Sequence, residues 1–187
     1  MKHTKGAPAG VQKQWQRTWI PAHNMKAGTV TPTEATVGIC KVWSFHPDTK
    51  QDVVFTIPIP VDWMGGTDVY AYPVFCTDVN LYATVRWGLQ WLGIVRGISI
   101  AALGTTIEGN FQADGTGFVI PPKSEWLTLP GSAIGALKEE LFQMDGRDFT
   151  TLAALAAKLY RAAASPFDNH PGNARLLGLV VMYQAFI

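Results

Sequence analysis

Few residues in this chain have the types and spacing that chemistry requires. His46 stands two residues before Asp48, and His170 two residues after Asp168, so each pair could contribute to a metal site. Neither has the His-x-x-x-His spacing that sets two imidazoles on one helix face. Both pairs sit in proline-containing turns, where hydrogen bonding within the turn is the expected role. Glycoside cleavage needs two carboxyls held about 5 to 10 Å apart. Asp62, Asp68, Asp78, Glu108 and Asp114 all read as turn acids, and the adjacent Glu139 and Glu140 would point to opposite faces of a strand. There is no Gly-x-Ser-x-Gly elbow and no Gly-x-x-x-x-Gly-Lys-Ser/Thr phosphate loop. Gly104, Gly109, Gly115 and Gly117 read as turn glycines. The sequence thus predicts a protein that is not an enzyme and holds no metal or other cofactor.

Binding chemistry is better represented. Lys2, Lys5, Lys13, Arg17 and Lys26 all precede the first acidic residue, Glu34, so the N-terminal segment is basic. Within it, Trp15 and Trp19 share one face of an extended strand. Lys5, Lys13, Trp15, Arg17, Trp19 and Ile20 therefore form the candidate partner-binding set. Basic and aromatic residues interleave only from Lys13 to Trp19, too short for the basic stripe of a nucleic-acid binder. A second candidate is Trp63, in the loop Asp62-Trp-Met-Gly-Gly66. Its indole could stack on a sugar, or plug one end of the fold; the turn before it favours the plug.

These residues need a scaffold. The 187-residue chain fits one domain with an added arm, and its net charge of +1 gives no overall drive to a polyanion or membrane. Only 16% of residues are charged, against about 25% in typical domains. Seven Trp, nine Phe and five Tyr imply a subunit interface as well as a core. No apolar stretch approaches the length of a membrane span, and the first residues lack a signal-peptide pattern. Cys40 and Cys76, far apart and outside any CxxC, read as buried reduced thiols.

Residues 1–38 read as an extended arm and linker, residues 39–187 as the folded body. Val85, Trp87, Leu89 and Trp91 alternate with Thr84, Arg86, Gly88 and Gln90, a half-buried strand. Strands are also expected at 39–45, 53–59, 69–75, 94–103, 118–120 and 126–129, and at the apolar C-terminus. Pro58 and Pro60 place the second of these at a sheet edge or end it. The Ala-rich stretch 150–164 has helical spacing at Leu152, Leu155, Ala156 and Leu159, but strands on either side pull it towards β. Short strands with Gly and Pro turns predict an all-β, jelly-roll-like sandwich.

The order of Arg17-Thr-Trp-Ile-Pro-Ala22, Phe55-Thr-Ile-Pro-Ile-Pro-Val-Asp-Trp63, Arg86-Trp-Gly-Leu-Gln-Trp91, Leu159-Tyr-Arg161 and Ala174 to Tyr183 resembles small structural proteins of tailed-phage virions. That resemblance implies a capsid decoration (cement) protein: synthesised in the host cytoplasm, homotrimeric, docked by its arm on the major capsid protein at the virion surface, with neither nucleic acid nor membrane as partner. The alternative it leaves open is a tail or fibre module that recognises host glycans through Trp63.

Overall fold

The computed structural model describes residues 13–58, 63, 67–94, 105–114, 116–130 and 154–186. Its strands are β1 (Lys13–Pro21), β2 (Lys26–Ala27), β3 (Thr33–Val37), β4 (Cys40–Phe45), β5 (Asp52–Pro58), β6 (Val69–Thr77), β7 (Tyr82–Ile94), β8 (Thr105–Asp114), β9 (Leu127–Leu129), β10 (Ala154–Arg161) and β11 (Ala174–Phe186). Single 3-10 turns lie at Ala22–Asn24 and Lys123–Glu125. The protein is an all-β sandwich. No helix among the described residues is long and apolar enough to cross a membrane.

One sheet, A, runs β3-β4-β11-β6-β9, with β1 also paired to β11; the other, B, runs β2-β5-β10-β7-β8. All pairings are antiparallel. From β4 onwards every connection but β7–β8 crosses between sheets. Four strands of each sheet thus interleave as a double-sheet jelly roll.

Alternation along the strands builds the core between the sheets. Val85, Trp87, Leu89 and Trp91 of β7 are buried as their spacing predicts, while Arg86 and Gln90 stay at least partly exposed. Trp87 sits edge-on to Phe45 from β4 and to Phe75 from β6, with ring centroids 4.9 and 5.6 Å apart. The Ala-rich stretch resolves as strand β10, hydrogen-bonded to β5 on one side and β7 on the other. Leu155, Ala157 and Leu159 point into the core. Ladders on both sides pair this central strand from Ala154 to Tyr160, and that overrides the helix propensity of alanine.

Three expectations need correction. Residues 13–37 are not an arm separate from the body: β1 zips along β11 from Lys13↔Phe186 to Pro21↔Gly178, β2 joins sheet B and β3 joins sheet A. The expected boundary at residue 38 falls at the tip of the β3–β4 hairpin, where Gly38 has φ of 60°. Edge strands need few large apolar residues, so composition mistook them for linker. Gly109 is not a turn glycine but lies within β8, where a Cβ would come 2.8 Å from Leu127 Cδ2. Phe118 and Ile120 are exposed, and only the bridge Phe75↔Val119 ties that piece to a sheet. Residues 1–12, most of the expected strand 94–103, and Glu139 and Glu140 lie outside the described residues.

Beyond β10 the turn to β11 is fastened from inside. Arg161 is fully buried; its Nε and Nη2 donate to the two oxygens of Asp168, and its Nη1 donates to the Gly172 carbonyl at 2.7 Å. Asp168 also accepts the Arg86 backbone N–H. Cys76 is buried, which pushes its thiol pKa up; Cys40 is only half-buried, and both thiols are free.

Candidate functional site

The outer face of sheet A carries a cluster of five aromatic residues, of which Trp15 and Trp19 are exposed, Tyr70 and Trp126 half-buried, and Tyr72 buried against Trp126. Period-two alternation along β1 sends Ile20 into the core and Trp15, Arg17 and Trp19 outward. Register then sets Arg17 opposite Met182 and Trp19 opposite Val180 on β11. On the far side of β11, Met182 faces Tyr70 and Val180 faces Tyr72 on β6. Trp126 enters from the 3-10 turn before β9, its indole N–H donating to the Pro121 carbonyl.

The rings form a connected array. Trp15 reaches across β11 to Tyr70, centroid to centroid 5.7 Å. Tyr70 lies 6.2 Å from Trp126, and Trp126 stacks on Tyr72 at 5.0 Å with an interplanar angle of 20°. Trp19 rests over Gly178: a Cβ there would sit 2.5 Å from two atoms of the indole. Trp15 and Trp19 remain 41% and 43% exposed, a large apolar area to leave in water. Lys123 sets its ammonium 5.2 Å from the Trp15 ring centroid and 5.6 Å from that of Tyr70. Gln184, opposite Trp15, and Thr128, opposite Tyr70, add hydrogen-bonding groups to this face.

The partner-binding residues expected from sequence divide accordingly. Trp15, Arg17 and Trp19 share this face, and Lys13 begins the same strand, exposed. Ile20 is a core residue and is not available to a partner. Lys5 lies outside the described residues. Trp63 is only 3% exposed and bridges Ala185, so it plugs the sandwich and offers no stacking face. His46 Nδ1 accepts the Asp48 N–H and His170 Nδ1 accepts the Gly172 N–H, both turn contacts. Tyr70, Tyr72, Lys123, Trp126 and Met182 were not anticipated. Tyr70 and Tyr72 do alternate in sequence, but nothing there places β6 beside β11 and β1.

The outer face of sheet B is polar and self-paired. Glu108 accepts from the Tyr160 hydroxyl at 2.6 Å and from Arg86 Nε at 3.0 Å, and Arg86 Nη1 donates to Asn110. Tyr160 lies on Gly88, whose missing side chain makes room for the ring, and Lys50 stands 4.0 Å above that ring. The Tyr160 hydrogen bond, opposed by burial and helped by Arg86, lowers the Glu108 pKa; burial, then Glu108, raises that of Tyr160.

No protein-family model matches the chain, and no curated protein does. A solved structure of similar shape is the CBM36-1 domain of a multidomain xylanase from the hindgut metagenome of Trinervitermes trinervoides, 11% identical. The match covers 89% of this chain and 96% of that one, with a TM-score of 0.47.

Proposed function

We propose that this chain is a non-catalytic glycan-binding module that stacks sugar rings on the outer face of sheet A. The observation that carries the reading is the exposed pair Trp15 and Trp19, continued by the half-buried rings of Tyr70 and Trp126, with the buried Tyr72 backing Trp126. Flat indole and phenol faces suit the apolar faces of sugar rings, and the Gln184 and Thr128 side chains suit hydroxyls at their rims. Trp15 and Trp19 are four residues apart on one strand, about 13 Å at roughly 3.3 Å per residue. The fitting ligand is therefore an oligomer rather than a single sugar. In the virion setting implied by the resemblance, that ligand is a host-surface glycan.

Capsid decoration through the same face is the second reading. Trp, Tyr, Met and Arg are the residues enriched in protein interface hot spots. Beyond β11, β1 pairs with no other strand among the described residues, leaving an edge to which a neighbour's strand could add. One experiment separates the two: purified protein and the Trp15→Ala/Trp19→Ala variant are assayed on a glycan array and on virions lacking the protein. Glycan binding lost in the variant supports the first reading. Stoichiometric capsid binding with no glycan signal replaces it with the second.

A further inference from the structure

Resting on the glycan reading, we propose that the ligand of sheet A's outer face is an acidic glycan, one whose sugars carry carboxylates, with Lys123 as the residue that selects the charge. Lys123 is not a solvated tail at the edge of the face. Its ammonium stands between the rings of Trp15 and Tyr70, held by cation–π attraction to both. A sugar ring stacked on either aromatic brings its substituents to that cation. A neutral ligand would draw little from the charge, whereas a carboxylate forms a charge-assisted hydrogen bond there.

The surrounding charges point the same way. Arg17 projects from the same side of β1 as the two tryptophans, one register step from each, and Lys13 is exposed at the start of the strand. Among the described residues none of these three cations forms an ion pair. Glu125, the acid nearest to Lys123 in sequence, buries one carboxylate oxygen that has no hydrogen-bond partner and forms no ion pair with any of the three, and Asp68, at the entry to β6, has a partner of its own. The face therefore presents three cations without ion pairs, spread over about the same span as its stacking rings. That arrangement matches an extended polymer carrying negative charge at intervals, with rings and charges engaged together.

The test uses the purified full-length protein in affinity electrophoresis and calorimetry. The probes are polygalacturonate, hyaluronan, alginate and polysialate, beside neutral xylan, mannan and mixed-linkage glucan. At least one acidic polymer should bind, weaken as salt rises, and weaken about tenfold in Lys123→Gln, with recovery in Lys123→Arg. Where polygalacturonate is the polymer bound, methyl-esterifying its carboxyls should have the same effect as Lys123→Gln. Neutral polymers bound as tightly as acidic ones, with loss in Trp15→Ala, would overturn the charge assignment and leave the stacking reading standing. Acidic binding indifferent to Lys123→Gln/Arg17→Gln would also overturn it. If no polymer binds, or the face instead closes against a second copy in light scattering, both readings fall.

Discussion

Arg161 and Asp168 form a bidentate ion pair at 2.9 and 2.7 Å with both side chains excluded from solvent. It closes the turn that leads from β10 into β11, and so fixes the start of the strand that lies between the aromatic residues of β1 and those of β6. Such a pair is costly to desolvate but far more costly to break, because the surviving charge is stranded. Asp168→Asn should therefore lower stability by about 3–5 kcal/mol, read from urea unfolding midpoints. Replacing both residues with apolar ones of similar volume should recover much of that loss; equal losses in single and double variants would contradict this account.

Gly178→Ala should damage both stability and binding. The added methyl would lie 2.5 Å from the Trp19 indole and 2.6 Å from the Ile20 carbonyl, and the backbone atom cannot swing away. We expect a loss of about 1–3 kcal/mol, typical of overpacking. Ligand affinity should fall to the level of Trp19→Ala. Wild-type binding in Gly178→Ala would mean that Trp19 does not act from its seat over Gly178.

On sheet B, Gly88→Ala should expel the Tyr160 ring and break its hydrogen bond to Glu108. Tyr160→Phe removes the hydrogen bond alone. The expected costs are ordered, with Gly88→Ala the larger and Tyr160→Phe about 1 kcal/mol. Neither should alter binding on the opposite sheet, which isothermal titration with the same ligand would check.

The Tyr160–Glu108 pair also sets a pH dependence with opposite signs at its two ends. Glu108 titrates below the usual carboxylate range in the folded state, so its contribution is complete above that range and lost as pH falls through the depressed value. Tyr160 titrates above the usual tyrosine value of about 10, so its contribution is present below that value and lost as pH rises beyond it. The stability difference between wild type and Tyr160→Phe should therefore be widest at intermediate pH and shrink in acid and in alkali. A difference independent of pH would show that the two groups are uncoupled.

Much of the scaffold was legible in the sequence because a two-residue period survives wherever a strand has one buried face. Val85 to Trp91 and Val53 to Ile57 show it. β8 escaped notice because its inward positions are Ile107, Gly109, Phe111 and Ala113, two of them too small to announce a core. The aromatic face was half legible: Trp15 and Trp19 identify one side of β1, while Tyr70, Tyr72 and Trp126 join them only through strand order. Lys123 became visible last, since its position over two rings is a product of that order and of the 3-10 turn that carries it.

The pairing of β1 with β11, from Lys13↔Phe186 onwards, brings the two ends of the described chain together. Trp15 and Trp19 have no platform until β11, translated well after β1, emerges and slots between β1 and β6. Fragments that stop short of residue 174 would expose the same tryptophans as unstructured apolar residues, prone to association. The aromatic face is thus a readout of completed folding, present only where the first and last described strands have zipped together.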